Sequence, residues 1–512
     1  MKKCLSRRDF LKLAGVLPLS VVSHGLLEMT SRVQALQSGQ QNVIVIVYDA
    51  FSAYHLSLLG YGRETTPQLA RLSERAVVYH QHYAGGNFTT PGTASLLTGT
   101  LPWTNRALNP NGTVIEPFVT RNIFSAFQGY YRLAYTHNIW ANKLLEQFQD
   151  EIDELIPWNQ LFLKSYDGFT QNLFKKDFDV ASVSWVRNMK MEEEGYAYSL
   201  FLSHIYEALL DRKVENLESL FPRGIPSTGR ADINFVLENA TDWIGSRATQ
   251  VRQPFVGYFH FLPPHGPYRT RFEFYNQFRH DGFLPVEKPE DVFTQKVTEK
   301  DLLRKRIEYD EFLLYVDSEF GRFFDRLEQS GLLENTWVVF TSDHGEMFER
   351  GINGHSMDAL YEPVVRIPLL IFEPGRRTGM NVHAPTSAID VLPTMLQVTG
   401  QQIPEWIEGE ILPPYGSTEI DPERSVYVVR ANKNGQYEPL NRRASLVIVT
   451  GRYKLVYYFG YKERKVDELI KLYDIEADPE ELVDLYASQR SIADELLKEL
   501  KSKMDEVNRP YL

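Results

Sequence analysis

Apolar residues in this chain gather into short unbroken runs separated by longer stretches of helical period. The run Asn42-Val-Ile-Val-Ile-Val-Tyr48, closing on Asp49, is the pattern of a central parallel strand covered on both faces. A carboxylate at its C-terminal end lies where open α/β sheets place ligands. A capped helix is predicted over 65–76 with Pro67 near its start, then a strand over 77–83 and a helical segment over 87–97 with Pro91 in its first turn. Further on, an amphipathic helix at 232–247 feeds an apolar strand at 255–262, and a long helix at 299–329 feeds a strand at 336–341. That alternation predicts an α/β fold, a large mixed, mostly parallel sheet sandwiched by helices. A helix over 387–398 closes this domain, expected to span 41–410. Beyond it, alternating strands at 443–449 and 452–459 and a charged helix at 492–507 predict a smaller antiparallel sheet plus helix in 411–512. Residues 100–230 show no clear period and read as insertions on the cleft side. Phe169, Phe174, Phe178, Trp185 and the acidic run Glu192–Glu194 fall there, as packing or as a substrate subsite.

The first segment changes the picture of where the protein works. Lys2, Lys3 and the run Ser6-Arg7-Arg8-Asp9-Phe10-Leu11-Lys12 precede the apolar stretch Leu13–Val22, the layout of an export signal of the twin-arginine type. The stretch is too short for a spanning helix, and Val33-Gln34-Ala35 offers a cleavage site, so 1–35 is expected to be a signal peptide. The twin-arginine export machinery is then a partner, and the expected location is periplasmic or extracellular. Cys4, the one cysteine, lies in this leader, so the exported protein would have no disulfide, thiolate metal site or cysteine nucleophile. A formal net charge of -12 argues against nucleic acid and anionic membrane as partners, and no later stretch is apolar enough to span a bilayer.

Candidate chemistry concentrates in a few places. Thr341-Ser-Asp-His-Gly-Glu346 directly follows a buried strand, and Asp343 with His344 at such a position can bind a divalent cation. His260 and Pro263-Pro264-His265-Gly266-Pro267 close another strand at the same sheet edge; His260 reads mainly as a packed strand residue, with a metal role as the alternative. His80 and His82 alternate on a strand and could imitate a metal pair, but burial or solvent contact is the expected fate. Asn87-Phe88-Thr89-Thr90-Pro91-Gly92-Thr93-Ala94-Ser95-Leu96-Leu97-Thr98-Gly99 places two hydroxyls ahead of a helix-starting proline.

These segments, in this order, resemble the sulfatase family of the alkaline-phosphatase superfamily. The resemblance includes Thr66-Pro67 through Leu72, Tyr309-Asp310 through Asp317 and Gly321, His355, Arg366-Ile-Pro368, Asp390 with Pro393-Thr394, Lys454-Leu455, and Leu472-Tyr-Asp-Ile-Glu-Ala-Asp-Pro479. It implies an alkaline-phosphatase-like fold and a cation held by Asp49, Asp343, His344 and the nucleophile oxygen. His265 would bind or protonate the substrate, and His355 would be a substrate or second-metal ligand. In the family signature a Cys or Ser oxidised to formylglycine lies two residues before the proline; here that position is Thr89, so no formylglycine is expected. The second adjacent Asp is Ala50, the signature Arg is Thr93, and no lysine lies between His355 and Glu362. With one carboxylate fewer the cation is zinc, manganese or magnesium as readily as calcium.

Threonine can attack phosphorus when a bound metal lowers its hydroxyl pKa. Related phosphoethanolamine transferases, lipoteichoic-acid synthases and nucleotide phosphodiesterases use threonine so, as the resemblance implies. The expected activity is therefore metal-dependent hydrolysis or phosphoryl transfer on a phosphoester of a small molecule, glycan or lipid. Thr89 would be the nucleophile, with Thr90 as its alternative, while Asn87, His265 and His355 contact substrate. The rival readings are a sulfate-ester hydrolase with unmodified Thr89 and a non-catalytic binding protein on the same fold.

Overall fold

A computed structural model describes residues 40–163, 208–209, 211–212, 214–229, 233–355, 358–416 and 421–512. The leader and the aromatic and acidic residues named between 169 and 194 lie outside these. Gln41–Leu512 forms one compact unit.

The elements that position the site are, in chain order, β1 (Asn42–Tyr48), α1 (Pro67–Ser73), β2 (Val77–Tyr79), α2 (Thr89–Thr98), β3 (Tyr131–Thr136), α3 (Ile139–Gln147), β4 (Glu154–Leu155), α4 (Leu237–Ala248), β5 (Phe255–Phe261), α5 (Glu299–Gln329), β6 (Thr336–Thr341), β7 (Leu369–Phe372), β8 (Met380–Val382) and α6 (Val391–Val398). The eight strands make one sheet in the order β8-β2-β7-β6-β1-β5-β3-β4. β7 runs antiparallel to β6 and β2, while β1 pairs in parallel with both β5 and β6. The expected mixed, mostly parallel sheet is what forms. β1 sits in its middle because every residue in it is buried, and its alternate side chains feed two cores. Ile44, Ile46 and Tyr48 pack with α4 and α5 on one face, and Val43, Val45 and Val47 pack with α2 and α6 on the other.

The 100–230 region differs from the expectation in one respect that matters. Tyr131–Thr136 is a sheet strand beside β5, and Asn138 caps α3 directly after it. The stretch reads weakly because Tyr131 and Arg132 are only partly buried, and just four of its residues face the interior. That part of the region is scaffold and not insertion.

The C-terminal segment adds β9 (Ser425–Arg430), β10 (Ala444–Thr450), β11 (Tyr453–Tyr461) and β12 (Val466–Asp474), an antiparallel meander, and α7 (Arg490–Asn508) packed on it through Leu496 and Leu500. Two of these strands and the helix match the expected ones; β9 and β12 complete the sheet.

Candidate active site and cation centre

The C-terminal ends of β1, β5 and β6, three adjacent strands, deliver Asp49, His260 and Asp343 to one point. Asp49 follows β1 and donates its N–H to Phe261 O at 2.9 Å. The next residue, Ala50, takes a left-handed turn (φ 60°) that aims its own N–H at Asp343 Oδ1, 3.2 Å away. Ser342 ties the two loops together, its Oγ lying 2.7 Å from Tyr48 O and accepting from Phe51 N–H.

Thr89 begins α2, a ten-residue helix that is buried throughout. Its first turn presses on the Asp343 loop: a Cβ on Gly92 would meet Asp343 O at 2.2 Å, so only glycine lets the two backbones approach. Gly345 is under the same constraint from Pro363 O, at 2.1 Å. Phe88, ahead of Thr89, has φ 66° and ψ 165°, a region nearly reserved for glycine. Backbone strain thus flanks both Asp49 and Thr89. Thr89 Oγ donates to Asp49 Oδ2 over 3.5 Å, and Asn138 Nδ2 reaches both that carboxylate and Thr89 Oγ, the latter at 3.2 Å. Helix N-termini offer N–H groups and positive potential to anions, so a tetrahedral oxyanion fits beside this hydroxyl. The alternative nucleophile, Thr90, is also buried, and its Oγ has no hydrogen-bond partner.

Four histidines face this edge, and in each Nδ1 is engaged and Nε2 turned elsewhere. His260 Nδ1 lies 3.1 Å from Tyr258 Oη, His265 Nδ1 donates to Gly266 O at 2.8 Å, His344 Nδ1 donates to Gly345 O at 2.9 Å, and His355 Nδ1 meets Glu346 Oε1 at 3.0 Å. The His355 ring lies 4.2 Å from His344 and 5.0 Å from His265, centroid to centroid. His265 is partly exposed and marks the mouth; His260 and His344 are fully buried.

Charge here is unbalanced. Burial opposes ionisation of Asp49, but the fields of His265, His260 and His344 hold it well below the usual carboxylate range. Burial and the Asp49 charge push Asp343 up. Burial lowers His344, whereas His265 is raised because Asp49 and Glu346 outweigh its burial. Asp49 Oδ1, Asp343 Oδ2, His260 Nε2 and His344 Nε2 are all buried with no hydrogen-bond partner. Donor atoms of Asp49, His260 and Asp343 lie within 4.8 Å of one another, and His344 Nε2 is 3.4 Å from Asp49 Oδ1. Converging orphan oxygens and imidazole nitrogens are the donors a divalent cation takes, and the residues fit one.

Comparison with known proteins assigns the chain to a group. The family model described as Sulfatase matches residues 41–401, and that described as N-sulphoglucosamine sulphohydrolase, C-terminal, matches 355–510. The chain belongs to the sulfatase family. It is a hydrolase of that family with an alkaline-phosphatase-like fold. Choline-sulfatase of Rhizobium meliloti (strain 1021) is 24% identical over 494 residues, covering 90% of this chain and 85% of that protein. Arylsulfatase K of Bos taurus is 27% identical over 300 residues, where the match spans 52% of this chain and about half, 54%, of the relative. Among solved structures, the phosphonate monoester hydrolase of Agrobacterium radiobacter superposes with a TM-score of 0.65 at 17% identity, covering 91% of this chain and 96% of that one.

Of the residues expected from sequence, Asp49, Thr89, Asp343 and His344 come together at the candidate cation centre, and His265 and His355 stand beside it. Asn87, expected to contact substrate, is hydrogen-bonded within the chain beside Thr89. Its Nδ2 donates to His355 O and its Oδ1 accepts from Phe88 N–H, both at 2.8 Å, tying the strained turn to the His355 loop. His82 is buried against Thr386, and His80 stacks on His383 away from it. Sequence reasoning missed Asn138 and Glu346 and undervalued His260. An Asn after a strand and before a helix marks a cap at the sheet's ligand edge, which was the available signal for Asn138.

Proposed function

We propose that this hydrolase is cation-dependent and acts on a phosphoester through Thr89, by hydrolysis or by transfer of the phosphoryl group to a second alcohol. The observation carrying this reading is Thr89 Oγ at the first turn of α2, within 3.5 Å of Asp49 Oδ2 and hydrogen-bonded by Asn138. A cation on Asp49, Asp343 and His344 would supply a lowered hydroxyl pKa and a polarised ester. Thr89 gives its proton to Asp49 Oδ2 as its oxygen bonds to phosphorus. The bond from phosphorus to the leaving oxygen breaks, and His265 protonates that oxygen through Nε2. Water or a second alcohol then attacks the phosphothreonine in line, giving its proton to His265 Nε2, as the bond from phosphorus to the Thr89 oxygen breaks and Asp49 Oδ2 returns its proton to that oxygen. His355, held by Glu346, orients the substrate's charged oxygens.

A second reading, hydrolysis of a sulfate ester, is favoured by the relatives: choline-sulfatase is similar over most of the chain, and an ulvan-active sulfatase of Formosa agariphila over 78% of it. On that reading Thr89 works without a formylglycine hydrate. The deciding experiment presents phosphomonoesters, phosphodiesters and aryl sulfates to the metal-loaded protein and to Thr89→Ala. Phosphodiester turnover lost in the variant supports the threonine mechanism. Sulfatase turnover, or turnover indifferent to Thr89, rejects it, and metal binding without turnover on any ester supports a binding protein. The leader supports export by the twin-arginine route, which replacing Arg7 and Arg8 by Lys should block in a cell-fractionation assay.

A further inference from the structure

We propose that His260 is a ligand of the cation, standing in for the carboxylate that Ala50 lacks, and that it turns the centre toward zinc and similar borderline metals and away from calcium and magnesium. This rests on the cation site of the preceding reading but not on which ester is cleaved.

His260 lies on β5 opposite Val47 of β1, two positions before Asp49. Its backbone is pinned because His260 O accepts from His137 N–H at 3.1 Å. The ring is fully buried, and Nε2 points between the two carboxylates, 3.6 Å from Asp49 Oδ2 and 3.7 Å from Asp343 Oδ2. Both distances exceed a hydrogen bond, so an N–H at Nε2 has no acceptor there at bonding length. The tautomer that satisfies the ring places the proton on Nδ1, donating to Tyr258 Oη at 3.1 Å. Nε2 is then a free lone pair aimed at two carboxylates. A histidine whose far nitrogen is fixed by a hydrogen bond is how proteins present imidazole to a metal. His344 follows the same plan, with Nδ1 on Gly345 O and Nε2 3.6 Å from Asp343 Oδ2.

The oxygen supply around the point is poor. Ala50 contributes no side-chain donor, and its N–H binds Asp343 Oδ1. Asn138 offers no oxygen either, because its Oδ1 caps α3 by accepting from Trp140 N–H at 2.7 Å while its amide nitrogen faces Asp49. Among the described residues, the donors left are two imidazole nitrogens, the two carboxylates and Thr89 Oγ. Calcium takes six to eight oxygens and magnesium a near-octahedral oxygen shell, whereas mixed nitrogen and oxygen donors suit zinc and its neighbours.

The test measures metal and not turnover. The full protein is stripped with a chelator and titrated with zinc, manganese and calcium, metal content being read by mass spectrometry. In parallel, the copper(II)-loaded protein is examined by pulsed electron paramagnetic resonance, which counts bound imidazoles. Expected are one tightly held zinc, weak calcium, and two imidazole signals. His260→Gln, which keeps most of the side-chain volume, should lose one imidazole signal and at least about tenfold in zinc affinity, while His80→Ala changes neither. A single imidazole in the unaltered protein, or zinc affinity indifferent to His260→Gln, overturns the proposal. Because the unaltered protein is itself a readout, a variant that fails to fold does not rescue it. Two imidazoles in a protein inactive on every ester would leave this inference standing and reject the catalytic reading.

Discussion

Two clusters of buried carboxylates in this molecule are resolved in opposite ways. Near the seam with the C-terminal sheet, Glu362 and Glu481 are 2% and 1% exposed, and between them lies Lys454, fully buried, its Nζ 3.0 and 2.8 Å from the two. Burial would lower the Lys454 pKa, but the two carboxylates outweigh it and raise it. At the sheet's ligand edge, Asp49 and Asp343 are buried as deeply, yet among the described residues only histidines pair with them. One cluster carries its cation in the chain; the other, on the function proposed above, would take its cation from outside. The first is therefore part of the folded architecture, and the second is a site.

The largest effect that would sharpen this contrast is loss of the proposed nucleophile. Thr89→Ala should lower kcat by about 10³-fold or more with unchanged circular dichroism, whereas Lys454 variants that remain folded should keep most of theirs. Next in size is Lys454→Met, which removes the ammonium between two buried carboxylates, leaving Glu362 only the longer contact with Arg366 at 3.6 Å, and should reduce urea stability by about 3–5 kcal/mol. Adding Glu362→Gln and Glu481→Gln should recover most of the loss. A single-variant loss below about 1 kcal/mol would mean that water reaches the cluster.

A third kind of buried group, lone neutral imidazole, predicts an acid limb. Burial holds His82 and His137 at about 3. A histidine depressed in the folded state is protonated first in the unfolded chain, so its stabilising contribution is lost as pH falls from about 6.5 toward 3. Between pH 6.5 and 5 each should cost about 2 kcal/mol. His137 lies among Phe162, Phe235 and Phe261 with neither ring nitrogen bonded. His137→Phe should thus flatten the limb in urea melts taken across that range; an unchanged slope would refute the assignment. The smallest effect has opposite signs in the two clusters. In chelated protein, Asp343→Asn relieves the burial cost and the repulsion that raise its carboxyl and should stabilise by about 1 kcal/mol, and Glu362→Gln should destabilise.

How much of this could be read in the sequence follows the same division. The ends of apolar runs are legible, because a polar residue closing a buried strand has few roles other than one at the ligand edge. Asp49, Asp343 and His344 were found that way, and Thr89 by its register with Pro91. His260 is less legible because, inside the apolar run Phe255–Phe261, an imidazole facing a core and one facing a pair of carboxylates give the same pattern. Only the neighbouring strand's missing carboxylate, Ala50, tells them apart. β3 stayed hidden because its first two residues are half in solvent, and Asn138, defined by that strand's end, was lost with it. The ion pairs of Lys454 join positions 92 and 27 residues away, a relation no local period records.

The Lys454 cluster also bears on how the chain can be cut. Glu362 opens the turn whose Pro363 carbonyl presses on Gly345, next to His344, so the ammonium from β11 steadies the floor beneath a site residue of the main sheet. A stop codon between β8 and β9 would remove Lys454 and leave Glu362 with Arg366, whose Nε is 3.6 Å away. A chain cut short there should therefore be less stable than the full one around the very turn that supports Gly345.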